Sequence, residues 1–376
     1  MSKKRITQIL AIAFFSLIIA LAGVIIFNRE RTIKQESASL TNLKVASFFT
    51  KLDNGYVQCN LCPNGCVLAP EQTGLCKARK NISGQLYSLV YGKVAAANVD
   101  PIEKKPFYHF LPGTTAFSIS TTGCNMACNF CQNWDISQKF SDEVITKTMT
   151  PEQVVDEALA SNAKSIAYTY NEPTIFYEFM LDTAKLAKTK GLKNVMHSNG
   201  YINQEPLLEL IPYLDAANID LKGMSDKFYS DYTTNGKVEP VLATIKTLKE
   251  KGVWLEITNL LIPGANDSPE EIKKVVNWVK NNLGTAVPLH FSRFFPTYKL
   301  NNIIPTPENT LQQAYKIAKD EGLQYVYLGN TDLPEGSTTY CPSGKIAIER
   351  KGYFIETNNL TNGKCSDGGE VAGVWQ

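Results

Sequence analysis

Neither sign of charge predominates in this chain of 376 residues: 38 lysines and arginines stand against 36 aspartates and glutamates, a net charge of +2. Lys3-Lys4-Arg5 and Lys104-Lys105 are too short to form a basic tract. That balance gives no electrostatic argument for nucleic acid, and none is expected as a partner. No internal repeat of roughly 20–50 residues and no low-complexity tract is present, which argues against a solenoid or a repeat array. Nine cysteines are too few for a disulfide scaffold of this size. They are also not scattered. Four stand at 59, 62, 66 and 76, three at 124, 128 and 131, and two alone at 341 and 365. Grouped cysteines in an enzyme-sized chain read as metal sites before disulfides.

The N-terminus departs from the rest. Ile6–Asn28 is apolar except for Thr7, Gln8, Ser16 and Asn28. As a helix it would be about 34 Å long, enough to cross a bilayer. No signal-peptidase pattern follows closely, and Leu21-Ala22-Gly23-Val24 lacks the cysteine of a lipoprotein box. A single-pass membrane anchor, residues 1–28, is expected, followed by a polar linker, 29–50. Basic residues flank the span on both sides, so they do not set its direction. The chemistry argued below needs the cytosol, which places the catalytic domain there.

Residues 51–112 form a Cys-rich segment full of turn signals, such as Asn54-Gly55 and Pro63-Asn64-Gly65. Over 113–330 strand-like and helix-like runs alternate. The strand-like runs are 115–121, 165–170, 193–197, 216–221, 253–260 and 287–292. The helix-like runs are 151–161, 175–190, 206–214, 241–251, 269–282 and 308–321. Thr150-Pro151 and Ser268-Pro269 are helix starts, and Gly191, Gly252 and Gly322 are stops. Such alternation predicts parallel βα units. Six units are fewer than a closed barrel needs. The expected fold is α/β: an incomplete (β/α)6 TIM-like barrel, with a doubly wound sheet as the alternative, together with an N-terminal Cys-rich segment, a small ribbon-like tail over 331–376 and one N-terminal transmembrane helix.

Cys124-x3-Cys128-x2-Cys131 directly follows the first predicted strand. Three thiolates in an eight-residue loop can each take one iron of a [4Fe–4S] cubane, leaving one iron open. An open iron can chelate the amino and carboxylate groups of S-adenosylmethionine, and an electron from the cluster then breaks the sulfonium C–S bond to give a 5′-deoxyadenosyl radical. A structural zinc would want a fourth ligand, and the loop holds none.

This motif, with Phe130 as the aromatic before its last cysteine, resembles the radical S-adenosylmethionine superfamily. Asp100–Gly113 and the run from Cys124 to Ser137 together resemble one branch, the radical enzyme of the AmmeMemoRadiSam system, related to pyruvate formate-lyase activating enzymes. The resemblance covers about 55–376. It implies the incomplete barrel, the cluster, S-adenosylmethionine as cosubstrate, an electron donor of flavodoxin or ferredoxin type, and AmmeMemoRadiSam proteins as candidate partners. Site residues follow from it. Glu172, after the second strand, is implied to bind the cosubstrate's amino group, although Asn171 stands where the family has glycine. Asn199-Gly200 resembles the turn after the third strand. Asp220 and Lys222, on one face at the end of the fourth, suit ribose hydroxyls and the cosubstrate carboxylate. His290 resembles a late histidine near the cosubstrate. His197 and His109 read as structural histidines.

Cys59-x2-Cys62-x3-Cys66-x9-Cys76 supplies four thiolates in a turn-rich segment. These suit a closed zinc site or a second, fully ligated iron–sulfur cluster, with zinc preferred, and free core cysteines or disulfides are the plain alternative. The resemblance implies a C-terminal zinc ribbon with two Cys-x2-Cys pairs, of which this tail keeps only the first cysteine of each, Cys341 and Cys365. A disulfide between them would count against the cytoplasmic placement. The leading expectation is an enzyme abstracting hydrogen from an unknown substrate, with a glycyl-radical-type protein as one candidate. The alternative is a membrane-anchored iron–sulfur electron-transfer protein that does not cleave S-adenosylmethionine.

Overall fold

The computed structural model describes Lys4 and residues 43–376. Val45–Gln376 forms one compact unit; the other unit, Met1–Lys44, lies almost wholly outside the described residues. At the centre is an eight-stranded sheet. Its strands in chain order are β1 (Ala96–Pro101), β2 (Thr115–Ser120), β3 (Ser165–Tyr168), β4 (Lys193–Ser198), β5 (Ala216–Asp220), β6 (Trp254–Leu261), β7 (Leu289–Arg293) and β8 (Val326–Gly329). They lie in the order of the chain, with no pairing between the two edge strands β1 and β8, so the sheet stays open. Strands β2 to β8 run parallel, and β1 pairs antiparallel with β2.

The expected six-strand barrel is thus extended at both ends. Strand β1 carries Ala, Asn, Asp and Pro, which are poor strand formers, and an edge position tolerates its proline. Strand β8 is only four residues long. The helices that link the parallel strands include α1 (Pro151–Ala160), α2 (Tyr177–Thr189), α3 (Gln204–Leu210), α4 (Asp226–Thr233), α5 (Val238–Glu250), α6 (Pro269–Leu283) and α7 (Glu308–Asp320). The start signals act as sequence chemistry requires. Thr150 and Gln153 form a reciprocal capping box at α1, and the Ser268 hydroxyl accepts from the Glu271 amide at α6. Helix α4 was not expected; it is short and polar, opened by a Ser225 cap.

No helix among the described residues is long and apolar enough to cross a membrane. The expected transmembrane helix and single-pass membrane placement therefore find no support, and the fold class is corrected to α/β without that element. The stretch over residues 6–28 on which they rested lies outside the described residues. Cys341 and Cys365 are joined in a disulfide rather than left as metal ligands, the pairing that was expected to count against a cytoplasmic placement.

The tail forms a three-stranded antiparallel sheet of Thr339–Tyr340, Ile346–Lys351 and Phe354–Asn358. Buried polar contacts fasten it to the segment between β1 and β2. The Arg350 guanidinium donates to the Tyr108 carbonyl at 2.7 Å, and the His109 Nδ1–H donates to the Ala372 carbonyl at 2.6 Å.

Candidate functional site

The cysteine loop leaves the C-terminal end of β2, where catalytic residues of βα folds collect. Its backbone is pinned from outside. The Ala127 amide donates to the Thr233 carbonyl at 3.0 Å and the Asn129 amide to the Tyr232 carbonyl at 2.9 Å, both on α4. Asn171 donates from Nδ2 to the carbonyls of Thr121 and Gly123, at 2.7 and 2.9 Å. The Cys131 sulfur lies 3.1 Å from the Ser137 hydroxyl, and the Met126 amide donates to the Cys124 sulfur at 3.4 Å. Burial, then the neighbouring Glu172, pushes the Cys124 thiol well above its ordinary value, and burial pushes Cys128 up to about 12. Free thiolates are therefore disfavoured here unless a metal takes their charge. Cys124, Cys128 and Cys131 do not all lie within 4.8 Å of one another. That spacing suits separate irons of a cubane better than one ion, so the loop fits a [4Fe–4S] cluster.

Around the loop stand most of the side chains singled out from sequence. Phe130, within the loop, is buried, with the Lys222 ammonium 5.7 Å from its ring centre. Asp220, the last residue of β5, holds Lys222 Nζ at 2.8 Å and His197 Nε2 at 2.9 Å. Burial opposes ionisation of Asp220, but Lys222 and His197 outweigh it and hold the carboxyl well below the usual range. Lys222 is likewise held charged, since Asp220 more than offsets its burial. All three side chains keep partial access, at 13–28%.

Glu172 is 1% exposed and already engaged. Its Oε1 accepts from the Thr174 amide at 2.9 Å and the Ser198 hydroxyl at 2.8 Å, and its Oε2 from the Asn199 amide at 2.8 Å. It thereby caps the short helix Pro173–Phe176 and ties the ends of β3 and β4 together. Oε2 keeps acceptor capacity. Asn199 bridges to the loop, donating from Nδ2 to Asn125 Oδ1 at 2.8 Å, with Cys124 Sγ at 3.9 Å.

His290 is placed differently from expectation. It is the second residue of β7, not its end, and is 3% exposed. Its Nε2 lies 2.7 Å from Glu256 Oε2, and its ring packs edge-on against Tyr108. His290 thus belongs, through Glu256, to the buried polar layer that receives the Tyr108 and His109 amides. Conversely, His197 joins the site through Asp220. The register pairs His197 with Asn218, two residues before Asp220, so both side chains share a face. Their nearness to two strand ends was the available signal. Asn125 and Ser198 carried none, because each acts through a neighbour distant in sequence.

The radical SAM superfamily model matches residues 118–279. An uncharacterized protein of Methanocaldococcus jannaschii is 47% identical over 319 residues, 85% of this chain and 95% of that protein. The 4-hydroxyphenylacetate decarboxylase activating enzyme of Clostridium scatologenes is 27% identical over 54% of this chain and 68% of its own. The pyruvate formate-lyase-activating enzyme of Clostridium pasteurianum is 26% identical over 42% and 67%. The chain belongs to the radical SAM superfamily of enzymes and is homologous to the activating enzymes within it. Membership implies a [4Fe–4S] cluster and S-adenosylmethionine.

Proposed function

We propose that this enzyme holds its cluster on Cys124, Cys128 and Cys131 and cleaves S-adenosylmethionine reductively to begin hydrogen abstraction from a substrate. The observation that carries this reading is the charged, partly open Asp220–Lys222 pair, with His197 hydrogen-bonded to Asp220, lying against the loop of three thiols. The cluster, when bound, supplies the electron for cleavage of the sulfonium C–S bond. The protein's own residues supply placement. Lys222 is the cation for the cosubstrate carboxylate, Asp220 the acceptor for ribose hydroxyls, and Glu172 Oε2 the acceptor for the ammonium. Phe130 shields the cluster side from water. A one-electron donor of flavodoxin or ferredoxin type completes the reaction. The relatives named as activating enzymes support a protein substrate, and the sequence resemblance favours one of glycyl-radical type, with AmmeMemoRadiSam proteins as candidate partners.

Anaerobic reconstitution with dithionite and S-adenosylmethionine tests the reading. 5′-Deoxyadenosine should form, and its absence under verified iron loading would overturn the proposal. Asp220→Asn should weaken S-adenosylmethionine binding at least about tenfold, because Lys222 loses its fixed partner. Unchanged affinity would remove Asp220 from the site.

A further inference from the structure

Cys59, Cys62, Cys66 and Cys76 line one cavity beside the radical site. Local backbone bonds aim them there. The Cys59 amide donates to the Cys66 carbonyl at 2.9 Å, closing the loop that carries Cys62, and the Lys77 amide donates to the Gly74 carbonyl across the turn that carries Cys76. Leu61, Leu68 and Ile175 make much of the remaining wall apolar.

The sulfur spacing separates the two metals that the sequence leaves open. Four thiolates on one zinc at about 2.3 Å would lie about 3.8 Å from one another. Among the described residues, the set of three or more candidate ligand atoms within 4.8 Å of one another is Cys341, Cys365 and Asp367. No three of these four cysteines meet that limit, and neither does the Cys124 triad. Neither group thus shows the convergence on one point that a single zinc requires, and thiolates on separate irons do not need it.

Arg79 is a second, independent pointer. It lines the same cavity at 1% exposure. Its Nη2 is paired with Glu178 at 2.6 Å and its Nη1 donates to the Ser47 carbonyl, but its Nε–H is buried with no hydrogen-bond partner. An orphaned cationic donor beside four thiols is costly in an empty cavity and is satisfied by an anionic sulfur-rich group.

We infer that Cys59, Cys62, Cys66 and Cys76 hold a second, fully thiolate-ligated [4Fe–4S] cluster that passes electrons to the cluster on Cys124, Cys128 and Cys131. The two cysteine groups are in direct structural contact. Asn64, in the first group's wall, donates from Nδ2 to the Asn125 carbonyl at 2.8 Å. The Cys76 carbonyl packs on Gly123, next to Cys124. With all four irons bound by the protein, the second cluster has no open iron for S-adenosylmethionine, and no bond is made or broken on it. It gains one electron from a flavodoxin- or ferredoxin-type donor and gives it up to the first cluster. The site stands on its own geometry; the relay role rests on the function proposed above.

The test uses the full chain reconstituted anaerobically with iron and sulfide in the presence of zinc. Wild type should carry about eight irons, and Cys124→Ser/Cys128→Ser/Cys131→Ser about four, with a reduced-cluster EPR signal that S-adenosylmethionine does not alter. That variant leaves the inferred site intact, so one zinc and no iron in it overturns the inference. For the relay, Cys62→Ser/Cys76→Ser should keep the S-adenosylmethionine-sensitive EPR signal and 5′-deoxyadenosine formation with dithionite. It should lose at least tenfold with reduced flavodoxin as donor. Equal rates with flavodoxin in variant and wild type overturn the relay. A wild type inactive with both reductants would instead defeat the proposed function, while the iron count still judges the site.

Discussion

Gly123→Ala is the sharpest test of how the two cysteine groups are packed. Gly123 has φ +95°, and a Cβ added to it would stand 2.3 Å from the Cys76 carbonyl oxygen. Two costs follow. The left-handed backbone costs an alanine about 1–2 kcal/mol. The overlap falls on backbone, which cannot rotate away, and overpacking of this kind costs about 1–3 kcal/mol more. Gly252→Ala separates the two. Its φ is +77°, yet nothing lies within 4 Å of the added carbon, so it incurs the conformational cost alone. Equilibrium urea unfolding of the metal-free protein should therefore show Gly123→Ala less stable than Gly252→Ala by about 1–3 kcal/mol. Iron loading adds a second readout. Moving the Cys76 carbonyl or Cys124 disturbs both groups, so Gly123→Ala should bind less iron while Gly252→Ala binds as wild type. Equal destabilisation by the two variants would refute the contact and, with it, the close approach of the cysteine groups.

Two further outcomes follow from the tail. Burial pushes the His109 imidazole from 6.5 down to about 4, and its Nε2 accepts from the Tyr327 hydroxyl at 2.6 Å. The unfolded chain takes up the proton below about pH 6.5 and the folded chain only near 4, so stability should fall as pH drops through that window, by up to about 3 kcal/mol. His109→Gln should flatten that slope in urea unfolding between pH 4 and 7; an unchanged slope would assign the acid sensitivity elsewhere. The Cys341–Cys365 disulfide closes a separation of 24 residues, which chain entropy values at about 3 kcal/mol. Cys341→Ser/Cys365→Ser should lose about that much stability. Thiol titration of denatured, unreduced apoprotein should find the seven free cysteines at 59, 62, 66, 76, 124, 128 and 131, and a count of nine would refute the pairing.

What could be read from the chain was what is local. The βα alternation and the caps at Thr150 and Ser268 are carried by neighbouring residues, and so is the Cys124–Cys131 loop. Strand β1 was hidden because its pairing with β2, not its own propensity, makes it a strand. The His197–Asp220 contact was hidden because it joins two strands through their register. The His290–Glu256 contact was hidden for a related reason. A resemblance fixes a residue's position along the chain, but only packing shows that its imidazole is turned to Glu256.

The choice between zinc and a second cluster lay beyond the sequence for the same cause. Both take four thiolates at similar spacings, so the run from Cys59 to Cys76 cannot distinguish them. What the sequence does not show is what the segment packs against: Arg79, fixed to Glu178 on α2, and Cys76, seated on Gly123. The same two contacts set the segment beside the radical loop. If that packing is what spaces the thiols, the metal at one site depends on the other's backbone, and iron lost from the first group in Gly123→Ala would be the direct sign of it.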